Sequence, residues 1–160
     1  MRLALVSVLL SSLASVTVAE DTSKCPTGFA QYGNSCYWFS NVGGSFPEAR
    51  SYCQFFRSHL VRITSKEEDD FVTHKAKQIG REFWLGATDC ITEGEFRWEG
   101  GVPLNYTNWC PEQPNNDGGD KPHHCLMLWK RCGYRWNDLE CDAELYFICE
   151  RRVAGCCCSN

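Results

Sequence analysis

The sequence predicts an α+β fold: two helices, a mainly antiparallel sheet and one long loop, braced by disulfides. Three observations support this fold class. Two helix-start patterns lie in the first half of the chain, and aromatic segments typical of strands lie on both sides of them. The 160 residues contain 12 Cys, a density close to that of disulfide scaffolds. The predicted domain spans residues 25–152.

The first helix is predicted to begin after Ser45. Ser45 and Glu48 form a capping-box pattern, in which the two residues satisfy each other's unpaired backbone N–H groups. Ala49, Cys53 and Phe56 follow at helical spacing and predict a buried face.

The second helix is predicted to begin after Ser65. Glu68 completes a second capping box, and the acidic first turn suits the helix dipole. Val72 and Ile79 belong to its predicted buried face, and Gly80 is a typical C-terminal cap.

Six apolar, aromatic-rich segments are predicted strands. They are 36–39, 83–86, 96–98, 126–129, 134–136 and 146–148. Between them, residues 101–121 are rich in Pro, Asn, Gly and Asp. A loop of this length in a compact domain is commonly a functional one.

The first nineteen residues, 1–19, predict a secretory signal peptide. Arg2 precedes an apolar stretch, and small residues precede Glu20. The alternative, an uncleaved anchor, lacks a basic stop-transfer flank. Secretion to an extracellular, oxidising compartment also explains the many Cys. The net charge of −4 argues against nucleic acid or anionic lipid as the main partner.

Four motifs, taken together and in this order, resemble C-type lectin-like domains. They are Phe-Trp-Leu-Gly-Ala-Thr-Asp at 83–89, Gln-Pro-Asn at 113–115, Trp-Asn-Asp-Leu-Glu-Cys at 136–141 and Phe-Ile-Cys-Glu at 147–150. The resemblance covers 25–152. Residues 36–40 and 105–109 make the pattern most similar to perlucin-type lectins within that family.

The resemblance implies three disulfides. They are Cys25–Cys36, Cys53–Cys149 and Cys125–Cys141. Sequence alone does not establish connectivity. Among the remaining Cys, we expect Cys90–Cys110 to be an extra bridge, while Cys132 could take either of these as its partner.

The tail, 153–160, contains Cys156, Cys157 and Cys158. Two interpretations stay open for these three thiols. They could join chains into an oligomer and raise avidity for repeated sugars, or they could carry mixed disulfides without a role.

The resemblance also implies a calcium site that binds sugar hydroxyls directly. Its ligands in this chain would be Gln113, Asn115, Asn137 and Asp138, with a cis bond between Gln113 and Pro114. Amide and carboxylate oxygens are the ligands that Ca²⁺ prefers. Each motif alone has a simpler explanation, since Asn-Asp is common in turns and Gln-Pro-Asn in solvated loops.

The chain departs from the family pattern in two ways. His123 stands where calcium-binding members usually have Glu, so calcium binding is expected to be weak unless Asp120 or His123 contributes. In the family, Glu-Pro-Asn accompanies mannose-type and Gln-Pro-Asp galactose-type recognition, and Gln113-Pro114-Asn115 matches neither. The sugar class therefore stays undecided. We also expect protonation of His123 below neutral pH to weaken cation binding.

The family's auxiliary calcium site corresponds to Asp89 and Glu93, with Asn116 and His124 at its other positions. This second site is expected to be weak. A transition-metal site at His123-His124-Cys125 is disfavoured, because adjacent His side chains diverge and Cys125 belongs to an expected disulfide. Asn105 begins an Asn-Tyr-Thr sequon and is an expected N-glycosylation site.

The function that these residues indicate is a secreted, calcium-dependent carbohydrate-binding protein that recognises surface glycans, in innate immune pattern recognition. It needs no nucleophile or general base, and no enzyme is predicted. Two alternatives stay open on the same fold: a perlucin-like extracellular or shell-matrix protein in biomineralisation, and a calcium-independent protein ligand.

Overall fold

The computed structural model describes residues 25–117 and 119–153, and the predicted α+β class is confirmed within them. The segment 1–19 and the tail cysteines at 156–158 lie outside the described residues. The helices are α1 (Phe46–Phe55) and α2 (Lys66–Ile79). The strands are β1 (Ala30–Tyr32), β2 (Ser35–Phe39), β3 (His59–Leu60), β4 (Phe83–Thr88), β5 (Arg97–Trp98), β6 (Val102–Pro103), β7 (Cys125–Trp129), β8 (Arg135–Leu139) and β9 (Tyr146–Arg152).

The described strands form one connected sheet. Its main path runs β1-β2-β9-β4-β5-β6, while β3 pairs with β9, and β7 pairs with both β4 and β8. The pairings are antiparallel except for β4 with β9, which is parallel. The predicted, mainly antiparallel sheet is therefore confirmed, and the β7–β8 hairpin extends from it toward the long loop.

The start of α1 forms as the sequence predicts. The Glu48 carboxylate accepts hydrogen bonds from the backbone N–H of Ser45 (2.8 Å) and from its hydroxyl (2.7 Å). Ala49 and Cys53 are buried. Phe56 lies beyond the end of the helix and is largely exposed, so its expected place on the buried face is wrong.

The start of α2 differs from a simple capping box. The Ser65 hydroxyl accepts from the Glu68 N–H (3.2 Å), as predicted. The Glu68 carboxylate, however, is buried and accepts from the Thr64 N–H (2.8 Å) and the Tyr37 hydroxyl (2.7 Å), which tie the helix to β2. Gly80 caps the other end with φ of 75°, while Ile79 is exposed rather than buried.

Close packing between β3 and β4 requires glycine at position 86. A Cβ atom at Gly86 would lie 2.7 Å from the carbonyl oxygen of Leu60. The Gly86 N–H donates to the Val61 carbonyl, and the Gly86 carbonyl accepts from the Glu99 N–H, both at 2.9 Å. The glycine of the 83–89 motif is therefore a packing requirement that brings two backbones together.

The described residues contain four disulfides. Three are the pairs that the resemblance implies, and the fourth joins Cys110 to Cys132. The expected Cys90–Cys110 bridge is therefore wrong. Cys110 lies beside β8, because its N–H donates to the Trp136 carbonyl (2.8 Å), and Cys132 ends the short turn that leads into β8. Cys90 is exposed and unpaired among the described residues.

Three strands have no clear sequence signal. β1, β3 and β6 are two or three residues long, and such segments are too short to show a period of two. They are strands because neighbouring strands offer them hydrogen bonds: β1 pairs with β2, β3 with β9, and β6 with β5.

The Cys110–Cys132 bridge should contribute measurably to stability. Replacing both residues by Ser opens a loop of 22 residues and should lower the free energy of unfolding by about 3 kcal/mol in the chain-entropy model. Denaturant titration checks this, with Cys90→Ser as the matched control, which should change stability by less than about 0.5 kcal/mol. Equal stability of the double variant and the control would contradict the assignment.

Candidate functional site

The β7–β8 hairpin holds two of the predicted site residues. In its register, Asn137 lies opposite Met127 and Asp138 lies opposite Leu126. Asp138 is 1% exposed and Asn137 is 9% exposed. The Asn137 side-chain amide donates from Nδ2 to the Asp138 backbone carbonyl, which leaves its Oδ1 as the end of the amide that can coordinate a cation. Both residues therefore sit on a paired strand rather than on a loop.

Two backbone hydrogen bonds attach the long loop to β8 at Trp136, just before Asn137 and Asp138. The Trp136 N–H donates to the Asn108 carbonyl (2.8 Å), and the Cys110 N–H donates to the Trp136 carbonyl (2.8 Å). Trp136 itself is fully buried, so it is a core residue and not a sugar contact, as expected. These two hydrogen bonds fix the point at which the loop leaves β8 and continues toward Gln113.

The Asp138 carboxylate brings the two halves of the site together. It accepts hydrogen bonds from the backbone N–H groups of Asn115 (3.3 Å to Oδ2) and Asn116 (2.7 Å to Oδ2). The Gln113–Pro114 bond is cis, as the resemblance implies. The sequence places these residues more than twenty positions apart, and the fold makes Asn115 and Asp138 direct neighbours.

The side-chain oxygen of Gln113 is buried and has no hydrogen-bond partner among the described residues. A buried acceptor without a partner costs about 1–3 kcal/mol. A cation coordinated by this oxygen would satisfy it. Carboxylate and amide oxygens suit a hard cation such as Ca²⁺, so the residues present fit the group that the resemblance implies.

The two residues considered as extra ligands occupy different places. The His123 backbone N–H donates to the Asn116 side-chain oxygen (2.7 Å), and the His123 ring Nε2 lies 3.7 Å from Glu140 Oε2. Asp120 lies exposed in a turn of the loop. Asp138 is thus the one carboxylate that the described contacts place against the Gln113-Pro114-Asn115 segment.

Asp69 positions two elements of the candidate site, and the sequence analysis did not predict this role. This α2 carboxylate is 2% exposed. Its Oδ1 accepts from the Trp136 indole N–H (2.9 Å), and its Oδ2 accepts from the Asn108 side-chain amide (2.6 Å). Asp69 therefore binds side chains on both sides of this attachment, Asn108 in the loop and Trp136 on β8. The acidic first turn of α2 was the available signal, but it also has the simpler explanation of complementing the helix dipole.

A second group of side chains that could ligate a cation lies at the other end of the long loop, where the loop enters β7. Asp89 follows β4, and His124 precedes β7. His124 Nδ1 lies 2.9 Å from Asp89 Oδ1 and 3.5 Å from Glu93 Oε2. The expected neighbour Asn116 is occupied elsewhere, because its side-chain oxygen accepts from the His123 N–H. The expected glycosylation site, Asn105, is exposed on a bend of the chain.

Residues 42–151 match the Lectin C-type domain, and the chain belongs to that family. Its members are carbohydrate-binding proteins rather than enzymes. The predicted recognition and fold are thereby confirmed.

Individual relatives agree with this assignment. Perlucin of Haliotis laevigata is 48% identical over 130 residues, covering 79% of this chain and 83% of the relative. Across five curated relatives, the matched region covers between 33% and 83% of the relative's length. The structure of the cow C-type carbohydrate-recognition domain of CD23 with GlcNAc2Man3 oligosaccharide aligns with a TM-score of 0.75 at 35% identity, covering 82% of this chain and 98% of that one. A calcium-independent type II antifreeze protein aligns with a TM-score of 0.71 at 27% identity, covering 81% and 95%.

Among residues 25–117 and 119–153, no helix combines the length and apolar character needed to cross a bilayer.

Burial of Asp69 leads to a prediction about pH. Desolvation raises the pKa of Asp69 above its ordinary value, although hydrogen bonds from Trp136 and Asn108 act in the opposite direction. The native state therefore binds the Asp69 proton more tightly than the unfolded state does. The stabilisation from Asp69 is greatest below pH about 3.9, the ordinary pKa of Asp in the unfolded chain. That contribution is lost as pH rises through the native pKa.

Urea unfolding of the wild type and Asp69→Asn between pH 3 and pH 7 tests this sign. The stability of the wild type relative to the variant should fall with rising pH and then become constant. Asp70→Asn, on the exposed face of the same helix, controls for removing one charge from α2. A relative stability that increases with pH would contradict the raised pKa.

Proposed function

We propose that this protein is a secreted, calcium-dependent lectin whose binding site is formed by Gln113, Asn115, Asn137 and Asp138. The observation that carries the proposal is the convergence at Asp138. The nearly buried Asp138 carboxylate accepts hydrogen bonds from the backbone of Asn115 and Asn116, and the Gln113 side-chain oxygen is buried without a hydrogen-bond partner among the described residues. Calcium, when bound, would neutralise the Asp138 carboxylate and give the Gln113 oxygen a partner. Sugar hydroxyls would serve as its further ligands.

The proposed site has a weak calcium affinity. Asp138 is its only formally charged ligand, and fewer charged ligands weaken calcium binding. The remaining ligands are the amides of Gln113, Asn115 and Asn137. The Asn115 oxygen also accepts from the Asp117 N–H (3.0 Å), so a bound ion would share this oxygen with the loop backbone. Calcium would therefore also stabilise the loop conformation.

A glycan array probed with and without a chelator tests the function. Binding should require calcium and should be lost in Asp138→Asn, which keeps the side-chain shape but removes the only charged ligand. Asp142→Asn is the matched control, because Asp142 is an exposed acid that pairs with Lys121 (3.2 Å) and lies outside the site. Glycan binding that survives chelation, or that Asp142→Asn weakens equally, would contradict the proposal.

The sugar class should respond to the two residues beside Pro114. Neither Gln113 nor Asn115 offers the charged acceptor to which a sugar hydroxyl donates strongly. Gln113→Glu restores the mannose-type pattern of the family, and Asn115→Asp restores the galactose-type pattern. The two variants should shift array binding in opposite directions by about tenfold or more, an effect of one charged hydrogen bond. Identical shifts would show that these side chains do not select the sugar.

The cellular setting is part of the same proposal. A signal peptide at 1–19 would deliver the chain to an oxidising compartment, Asn105 would carry an N-glycan, and the tail cysteines at 156–158 would link chains. Recognition of surface glycans in innate immunity is the role that this arrangement suits.

A matrix role is the second candidate, and the similarity to perlucin favours it. Retention on carbonate crystals without calcium-dependent glycan binding would support this alternative.

A further inference from the structure

We propose that Asp89, Glu93 and His124 form a site for a divalent transition metal of the Zn²⁺ class, separate from the proposed calcium site. The inference does not depend on the proposed lectin activity. It rests on the way two strand ends bring one imidazole nitrogen and two carboxylate oxygens to a common point.

The separations of the ligand atoms suit a small cation. His124 Nδ1 lies 2.9 Å from Asp89 Oδ1 and 3.5 Å from Glu93 Oε2, and the three atoms lie within 4.8 Å of one another. In tetrahedral zinc sites, bonds of about 2.0–2.1 Å place the ligand atoms about 3.3–3.4 Å apart. Shifts of a few tenths of an ångström in the first pair, and a turn of the exposed Glu93, would complete this geometry.

The surrounding structure holds the first two ligands in place. Asp89 is 3% exposed, and its second oxygen, Oδ2, accepts from the Gly94 N–H (2.9 Å), which leaves Oδ1 toward His124. The Asp89 N–H also donates to the His124 carbonyl (3.2 Å), so the two backbones are linked directly. Outer-shell hydrogen bonds of this kind orient metal ligands and raise affinity.

The chemistry of the donors favours a transition metal over calcium. Imidazole suits Zn²⁺, Cu²⁺ and Ni²⁺, whereas Ca²⁺ takes six to eight oxygen ligands. Two carboxylates offer at most four oxygens, and one of these is committed to Gly94. Asn116, which could add another oxygen, instead accepts from the His123 N–H. The Glu93 side chain is 57% exposed, so water can occupy the open side of the metal.

Nuclear magnetic resonance of the histidine rings tests the site directly. The full chain, with labelled histidine, is titrated with Zn²⁺ in the presence of excess Ca²⁺. Monitoring the histidine ring signals distinguishes zinc bound at this site from zinc bound by cysteine thiols. The His124 ring signals should move to those of an imidazole metallated at Nδ1, while the His74 signals stay in place. Unchanged His124 signals at saturating Zn²⁺, or their reversal by Ca²⁺, would overturn the proposal.

Three variants give the matched affinity test. His124→Gln and Glu93→Gln should each weaken Zn²⁺ binding by at least about tenfold, the lower bound for perturbing a metal shell. His74→Gln should leave binding unchanged, because His74 is exposed on α2 and contacts Gln78 (3.1 Å). Glu93 is exposed, so its variant keeps the test valid if His124→Gln folds poorly. Equal affinity of all three variants would show that His124, Asp89 and Glu93 form an ion-pair network only.

Discussion

The Asp69 carboxylate connects three parts of the molecule that are distant in sequence. It projects from the first turn of α2 and accepts from the indole of Trp136 on β8 and from the amide of Asn108 in the long loop. A buried charge is costly unless hydrogen bonds compensate it, so these donors and the carboxylate depend on one another. The position of the loop over β8, and with it the whole candidate site, follows from this arrangement.

Aromatic packing makes the arrangement rigid. The Trp136 ring contacts Trp98, Tyr106 and Trp109 edge-on, at centroid distances of 5.7, 5.8 and 5.9 Å. Asn137 and Asp138 follow Trp136 directly on the same strand, so their positions derive from a packed core. A binding site needs this kind of support, because ligands held on a rigid element lose little freedom when they bind. From the loop, the candidate site would take Gln113 and Asn115, and the Asp138 carboxylate holds Asn115 through its backbone N–H.

The loop has different chemistry at its two ends. Near β8 it offers amide oxygens and one carboxylate, which suit a weakly bound calcium ion. Where the loop enters β7, it offers the His124 imidazole beside two carboxylates. The Cys125–Cys141 disulfide joins the start of β7 to the residues that follow β8, so both ends share one covalent support. Cation binding at either end would thus act on the same loop.

The sequence by itself determined the features that depend on neighbouring residues or on motif spacing. The Ser45–Glu48 cap and the Gly80 helix end are local interactions, and the ordered motifs with their cysteine spacing were enough to indicate the family and three disulfides. Only the tertiary structure decided the pairing of Cys110 with Cys132, the clamp of Asp69 on Trp136, the strands β1, β3 and β6, and the meeting of His124 with Asp89 and Glu93. These features join residues far apart in the chain, whose approach depends on the packing of the whole core. Residue spacing alone therefore does not predict these contacts.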